Sequence, residues 1–156
     1  MLKYCLDKWN KNNKLLKEKL ERDCKLNRCD YSYLVELVVD YILNPSEDEL
    51  NVRWDSTNIT VVDNGEYQGT QLFLIPARTY QPSEYEYLMT YVGYGSCSGC
   101  DTLQAIQGWS DEPLTPIQVK DFMALCKDLV TSIIKPYNCG WRNEECFEEV
   151  TVEKEN

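Results

Sequence analysis

The sequence predicts an α+β fold: a small antiparallel sheet of about three strands with helices packed on one face. Three observations carry this. Helical periodicity occupies both ends of the chain, at 1–22, 31–43 and 116–134. Period-two alternation occupies the middle, at 58–63, 70–76 and 86–93. The order of elements, helices then strands then helices, suits a sheet covered on one side.

The elements follow in order. Leu2, Cys5, Trp9, Leu16 and Leu20 recur at helical spacing with lysines on the other faces, giving an amphipathic helix over 1–22. Asn10, Asn12 and Asn13 are expected to weaken its middle. In "YSYLVELVVDYILN" only Ser32, Glu36, Asp40 and Asn44 form a polar stripe, so this helix must be largely buried. Asn44-Pro45 ends it, because the residue before proline is pushed out of helical backbone. "NITVVDNGEYQGTQLFLIPA" reads as a hairpin, with Asn64-Gly65 as a two-residue turn and Gly69 as a bulge. "YEYLMTYVGY" supplies the third strand, placing Tyr85, Tyr87, Met89 and Tyr91 on one face. A short helix stopping at Gly108 follows. The last helix has Thr115 as N-cap, Pro116 in its first turn, Gln118 closing a capping box, and Phe122, Cys126, Leu129 and Ile133 on its apolar face.

These elements form one domain over 1–156. It comprises the N-terminal helix 1–22, an α+β core at 30–135, and an acidic tail at 142–156 that is expected to fray. The first residues contain no apolar run of signal-peptide type, and no stretch has the length of a membrane span. A cytoplasmic protein with reduced thiols and no membrane partner is expected.

Composition excludes several chemistries. The chain has no histidine, which removes Ser-His and Cys-His nucleophiles and mixed Cys/His zinc sites. No Walker or Rossmann phosphate loop is present. The carboxylates Asp63, Glu66, Glu84 and Glu86 form no fixed acid/base pair. A non-enzymatic role is the expectation. The net charge is −10, and it is uneven: residues 1–30 hold nine basic against five acidic side chains, the remainder seven against twenty-one. An acidic body disfavours direct nucleic-acid binding, which needs basic contacts to phosphate. It suits a surface that occupies the basic site of another protein, such as a nucleic-acid-binding one, and Glu144, Glu145, Glu148 and Glu149 of the tail are candidates for that contact. Tyr85, Tyr87 and Tyr91 are the aromatic candidates for the same interface, since tyrosine's amphipathic ring suits protein contacts.

"YGSCSGCDTLQAIQGW", residues 94–109, holds the remaining motif. A capping box from Ser98 to Asp101 would place Cys100 in a first helical turn and Cys97 just outside it, where backbone N–H groups stabilise a thiolate. Three roles stay open. Cys97 and Cys100 could be a thiol redox pair. They could ligate zinc or an iron–sulfur cluster, with Cys139 and Cys146, or Cys24 and Cys29, completing a four-thiolate set. Or they could fill space beneath a glycine-rich turn, as Cys5 and Cys126 do on apolar helix faces.

Two resemblances attach to these residues. "MTYVGYGSCSGCDTLQAIQ" resembles the C-terminal module of NifU-like iron–sulfur carriers, which implies Cys97 and Cys100 as cluster ligands. Asp101 stands where that family has proline. The D-x-G-x-Y-Q-G stretch and the Y-G-S-C-S-G-C-D-T-L-Q motif resemble small bacteriophage-encoded proteins. That resemblance implies expression in a bacterial host cytoplasm and a role as an accessory protein that binds, and inhibits, a host macromolecule.

Overall fold

The computed structural model describes residues 1–45, 52–66, 68–95, 101–106 and 112–135. The fold is α+β, with a three-stranded antiparallel sheet and helices on one side of it. Helix α1 (Leu2–Asp23) buries Cys5, Trp9, Leu16 and Leu20. Asn12 lies on the same buried stripe, where its Nδ2 donates to the Ile42 carbonyl at 2.8 Å. This asparagine therefore joins two helices where the sequence suggested only a weak point.

Helix α2 (Tyr31–Val38) starts at Asp30, whose carboxylate accepts from the Tyr33 N–H. It widens into a single π turn over Val39–Leu43, closed by the Asn44 N–H on the Val39 carbonyl. The segment 31–43 is thus helical throughout, with a change of pitch near its end. Asn44 leaves the expected polar stripe and turns inward: its amide accepts from the Trp54 N–H at 2.8 Å and donates to the Trp54 carbonyl at 2.9 Å. Trp54, 1% exposed, also donates its indole N–H to the Tyr4 hydroxyl and bridges to Ala77 at the base of the sheet.

The sheet runs β1 (Thr60–Asp63), β2 (Gly69–Pro76), β3 (Tyr87–Tyr94) in that order. Its register puts Val61, Phe73 and Thr90 in one row and Ile75 beside Leu88 on the inner face. Phe73, Ile75 and Leu88 are fully buried there, and the Thr90 hydroxyl donates to the Leu129 carbonyl of helix α4 (Pro116–Thr131).

The hairpin connection corrects the expected two-residue turn. Asn64 N–H donates to the Thr70 carbonyl, and the Asn64 side chain accepts from the Thr70 N–H at 2.7 Å, so the chain crosses by a wider loop. Gly65 and Gly69 approach so closely that a Cβ on Gly65 would overlap the Gln68 carbonyl and one on Gly69 would sit 2.8 Å from Asn64 Oδ1. Gly69 itself pairs in regular register with Tyr94, so no bulge occurs at that position.

Helix α4 carries the expected capping box and proline. It ends three residues short of 134, because Ile134 leaves the helix to exchange two backbone hydrogen bonds of 2.9 Å with Met89 on the edge of β3. Phe122, Cys126, Leu129 and Ile133 are all buried in the one apolar cluster that α1, α2, α4 and the sheet share. Among the described residues no helix is long and apolar enough to cross a membrane.

Candidate functional site

Two places in the fold hold the side chains singled out by the sequence. The first is the outer face of the sheet. Strand alternation sends Tyr87, Met89 and Tyr91 there, and the register sets them against residues of β2 and β1: Tyr91 beside Leu72 beside Val62, and Met89 beside Leu74 beside Thr60. Val62 and Tyr91 are 46% and 43% exposed, while Leu72, Leu74, Met89 and Tyr87 are half-buried. Tyr85 precedes the strand and is 67% exposed. The structure therefore adds Val62, Leu72 and Leu74 to the tyrosines. Pattern alone could have found them, since Leu72 and Leu74 alternate with the core residues Phe73 and Ile75; what it lacked was the register that joins the three strands.

One end of the sheet is polar. Asp63 accepts from the Tyr94 hydroxyl at 2.6 Å, from the Gly65 N–H at 3.0 Å and from the Gln71 amide at 3.1 Å. These donors, the Tyr94 hydroxyl foremost, hold the Asp63 carboxyl below the usual carboxylate range. The same contact pushes the Tyr94 phenol up to about 12.

The second place flanks the Cys97/Cys100 motif. Cys97 and Cys100 lie outside the described residues, as do Cys139, Cys146, Glu144, Glu145, Glu148, Glu149, Gly108 and the whole tail 142–156. The described anchors on either side are Gly95 and Asp101. Asp101, 6% exposed, accepts from the Gly95 N–H at 3.1 Å, from the Tyr31 hydroxyl at 2.6 Å and from the Leu103 N–H at 3.0 Å. Its own backbone carbonyl accepts from Ala105. Asp101 is thus the residue that starts helix α3 (Thr102–Ile106), while the expected Ser98 cap lies outside the described residues. Burial first, then the bond to Asp101, raise the Tyr31 phenol well above its ordinary value.

Cys24 and Cys29, considered as ligands with the motif, lie together at the junction of α1 and α2 with Tyr33. Among the described residues no group of three or more cysteine, aspartate or glutamate side chains is arranged to hold a metal. Comparison with known proteins finds no matching family model, no matching curated protein and no matching solved structure.

Proposed function

We propose that this chain is a binding protein whose outer sheet face docks on a host protein. The observation that carries the reading is the apolar face of Val62, Leu72, Leu74, Met89 and Tyr91, which no described helix covers while the helices occupy the opposite face. Soluble folds that leave one sheet face to water alternate polar residues onto it, and this one places leucines, methionine and tyrosines there. With twenty-one acidic against seven basic side chains after residue 30, the complementary partner surface is apolar at its centre and basic at its rim. A bacteriophage accessory role, with a basic nucleic-acid-binding host protein as target, is consistent with that surface.

The test places a photoreactive amino acid at Tyr91 and, as a control, at Ile117, which is 74% exposed in the first turn of α4. A single basic bacterial protein should cross-link from position 91 only. Leu72→Lys should abolish the product without changing the melting temperature, and high salt should weaken it. Equal capture from 117, or capture that survives Leu72→Lys, would remove the sheet face as the docking site.

A second reading attaches to Cys97 and Cys100. The Asp101 carboxylate ties Gly95 to the start of α3, drawing together the ends of the segment that carries both thiols, which supports their acting on one metal ion or iron–sulfur cluster. Metal analysis of anaerobically purified protein, compared with Cys97→Ala, tests it. Equal metal content in the two proteins would end this reading.

A further inference from the structure

Asn64-Gly65 is the only Asn-Gly pair in the sequence, and the hairpin loop arranges reactive groups around it. In such a pair the glycine nitrogen closes a five-membered ring on the asparagine Cγ, since glycine has no Cβ to obstruct the approach. Ring closure is slow unless some group takes the proton from that nitrogen and another receives the charge that develops on Oδ1. Two hydrogen bonds of the loop meet these needs.

The Gly65 N–H donates to Asp63 Oδ1 at 3.0 Å, so a carboxylate already holds the proton that ring closure must remove. The Tyr94 hydroxyl on the same oxygen at 2.6 Å and the Gln71 amide on the other at 3.1 Å fix that carboxylate in place. Asn64 Oδ1 accepts from the Thr70 N–H at 2.7 Å, where a donor stabilises the oxyanion of the closing ring. The Thr70 carbonyl also accepts the Asn64 N–H at 3.3 Å, so one residue of β2 clamps the asparagine by backbone and side chain together. Other asparagines are held differently. Asn12, Asn44 and Asn58 donate through Nδ2, to the Ile42 carbonyl, the Trp54 carbonyl and the Asp55 carboxylate. Among the described residues the Asn64 side chain is bonded through its oxygen, which leaves the nitrogen that would depart untied. Asn64 is also exposed, so water reaches it.

We propose that this loop modifies itself: in the folded protein Asn64 deamidates through a succinimide shared with Gly65, with Asp63 as the base and the Thr70 N–H as the oxyanion donor. The Gly65 nitrogen passes its proton to Asp63 Oδ1 and bonds to Asn64 Cγ, placing the negative charge on Asn64 Oδ1. The Cγ–Nδ2 bond then breaks, the proton on Asp63 passes to Nδ2, and ammonia leaves. Water opens the imide at either carbonyl. Cleavage of the bond to Cγ gives aspartate, and cleavage of the bond to the main-chain carbon gives isoaspartate. Isoaspartate carries the main chain through one more carbon, where a Cβ on Gly69 would already sit 2.9 Å from Gly65 Cα. The loop has no room for that carbon, so the product releases the clamp between Asn64 and Thr70.

The full-length chain should be incubated at neutral pH, folded in buffer and unfolded in urea, and sampled over time. Trypsin, cutting after Arg53 and Arg78, releases the peptide 54–78, in which fragment masses distinguish acid from amide at position 64. Conversion at Asn64 should run about tenfold faster in the folded chain than in urea. Hydroxylamine, which cleaves the succinimide, should split the folded chain after residue 64. Asp63→Asn keeps an acceptor for the Gly65 N–H and takes no proton, so its folded rate should fall to that of the unfolded chain, with circular dichroism confirming the fold. A parent protein that converts no faster folded than in urea would overturn the proposal, since a loop that merely restrains the asparagine gives that result. So would the parent rate in folded Asp63→Asn. Should that variant fail to fold, the comparison of folded and unfolded parent protein decides alone.

Discussion

Asp101 takes hydrogen bonds from a side chain seventy residues earlier in the chain, from the backbone six residues before it and from the backbone two residues after it. A buried carboxylate so supplied becomes costly to lose, because its removal takes from the buried Tyr31 hydroxyl the acceptor of its 2.6 Å hydrogen bond. Asp101→Ala should therefore cost about 3 kcal/mol in chemical unfolding. A cost under ~1 kcal/mol would show that the contact is not held in solution. At Asp63 the effect is one of titration. Its folded carboxyl is lowered chiefly by the Tyr94 hydroxyl, so its contribution to stability is present above the ordinary carboxylate value and lost as the pH falls through the lowered one. In Tyr94→Phe the Asp63 resonance should titrate at higher pH by NMR; an unchanged curve would remove the phenol as the cause. Neither contact was legible in the sequence. Spacing shows which residues share an element, and the partners here come from different ones. The core residues Phe73, Leu88 and Phe122 were legible, because burial follows the period of a strand or helix.

The elements with strong local chemistry were read closely. Thr115, Pro116 and Gln118 start α4 as their side chains dictate. Errors arose where a side chain bonded to backbone in place of the partner the pattern supplied. The Asn64 side chain takes the Thr70 N–H and widens the hairpin loop. Asp101 caps α3 itself, accepting from the Leu103 N–H where the pattern gave it the closing place in a capping box. Asn44 closes the helical segment by gripping Trp54 through both atoms of its amide. That grip ties the π turn to the base of the sheet, and Asn44→Ala should cost roughly 2 kcal/mol, while Asn44→Asp, which keeps the acceptor but loses the donor, should recover part of it. Equal melting of Asn44→Ala and the parent protein would make the proline after it a sufficient stop.

At the scale of the whole molecule, the sheet is a local meander, whereas the helical layer is drawn from both ends of the chain. Helix α1 packs on α4, so the first helix must meet a helix that follows all three strands in the chain. The inner face of the sheet depends on that meeting, since Thr90 and Met89 are bound by Leu129 and Ile134 from the last helix and its exit. The candidate docking face makes no such demand: Val62, Leu72 and Tyr91 are aligned by strand pairing alone.

The closure of Ile134 on Met89 has a consequence for synthesis on the ribosome. The hairpin and third strand leave the exit tunnel before α4 is made, with Phe73, Ile75 and Leu88 lacking the helix that covers them. Nascent chains stalled before residue 116 should therefore be cut readily by protease across 69–94. Chains long enough to release residues 116–135 from the tunnel should resist. Early protection would mean that α1 and α2 suffice to cover the sheet. Late protection would make the final helix the step that commits the polypeptide to its fold, leaving the growing chain dependent on chaperones for most of its translation.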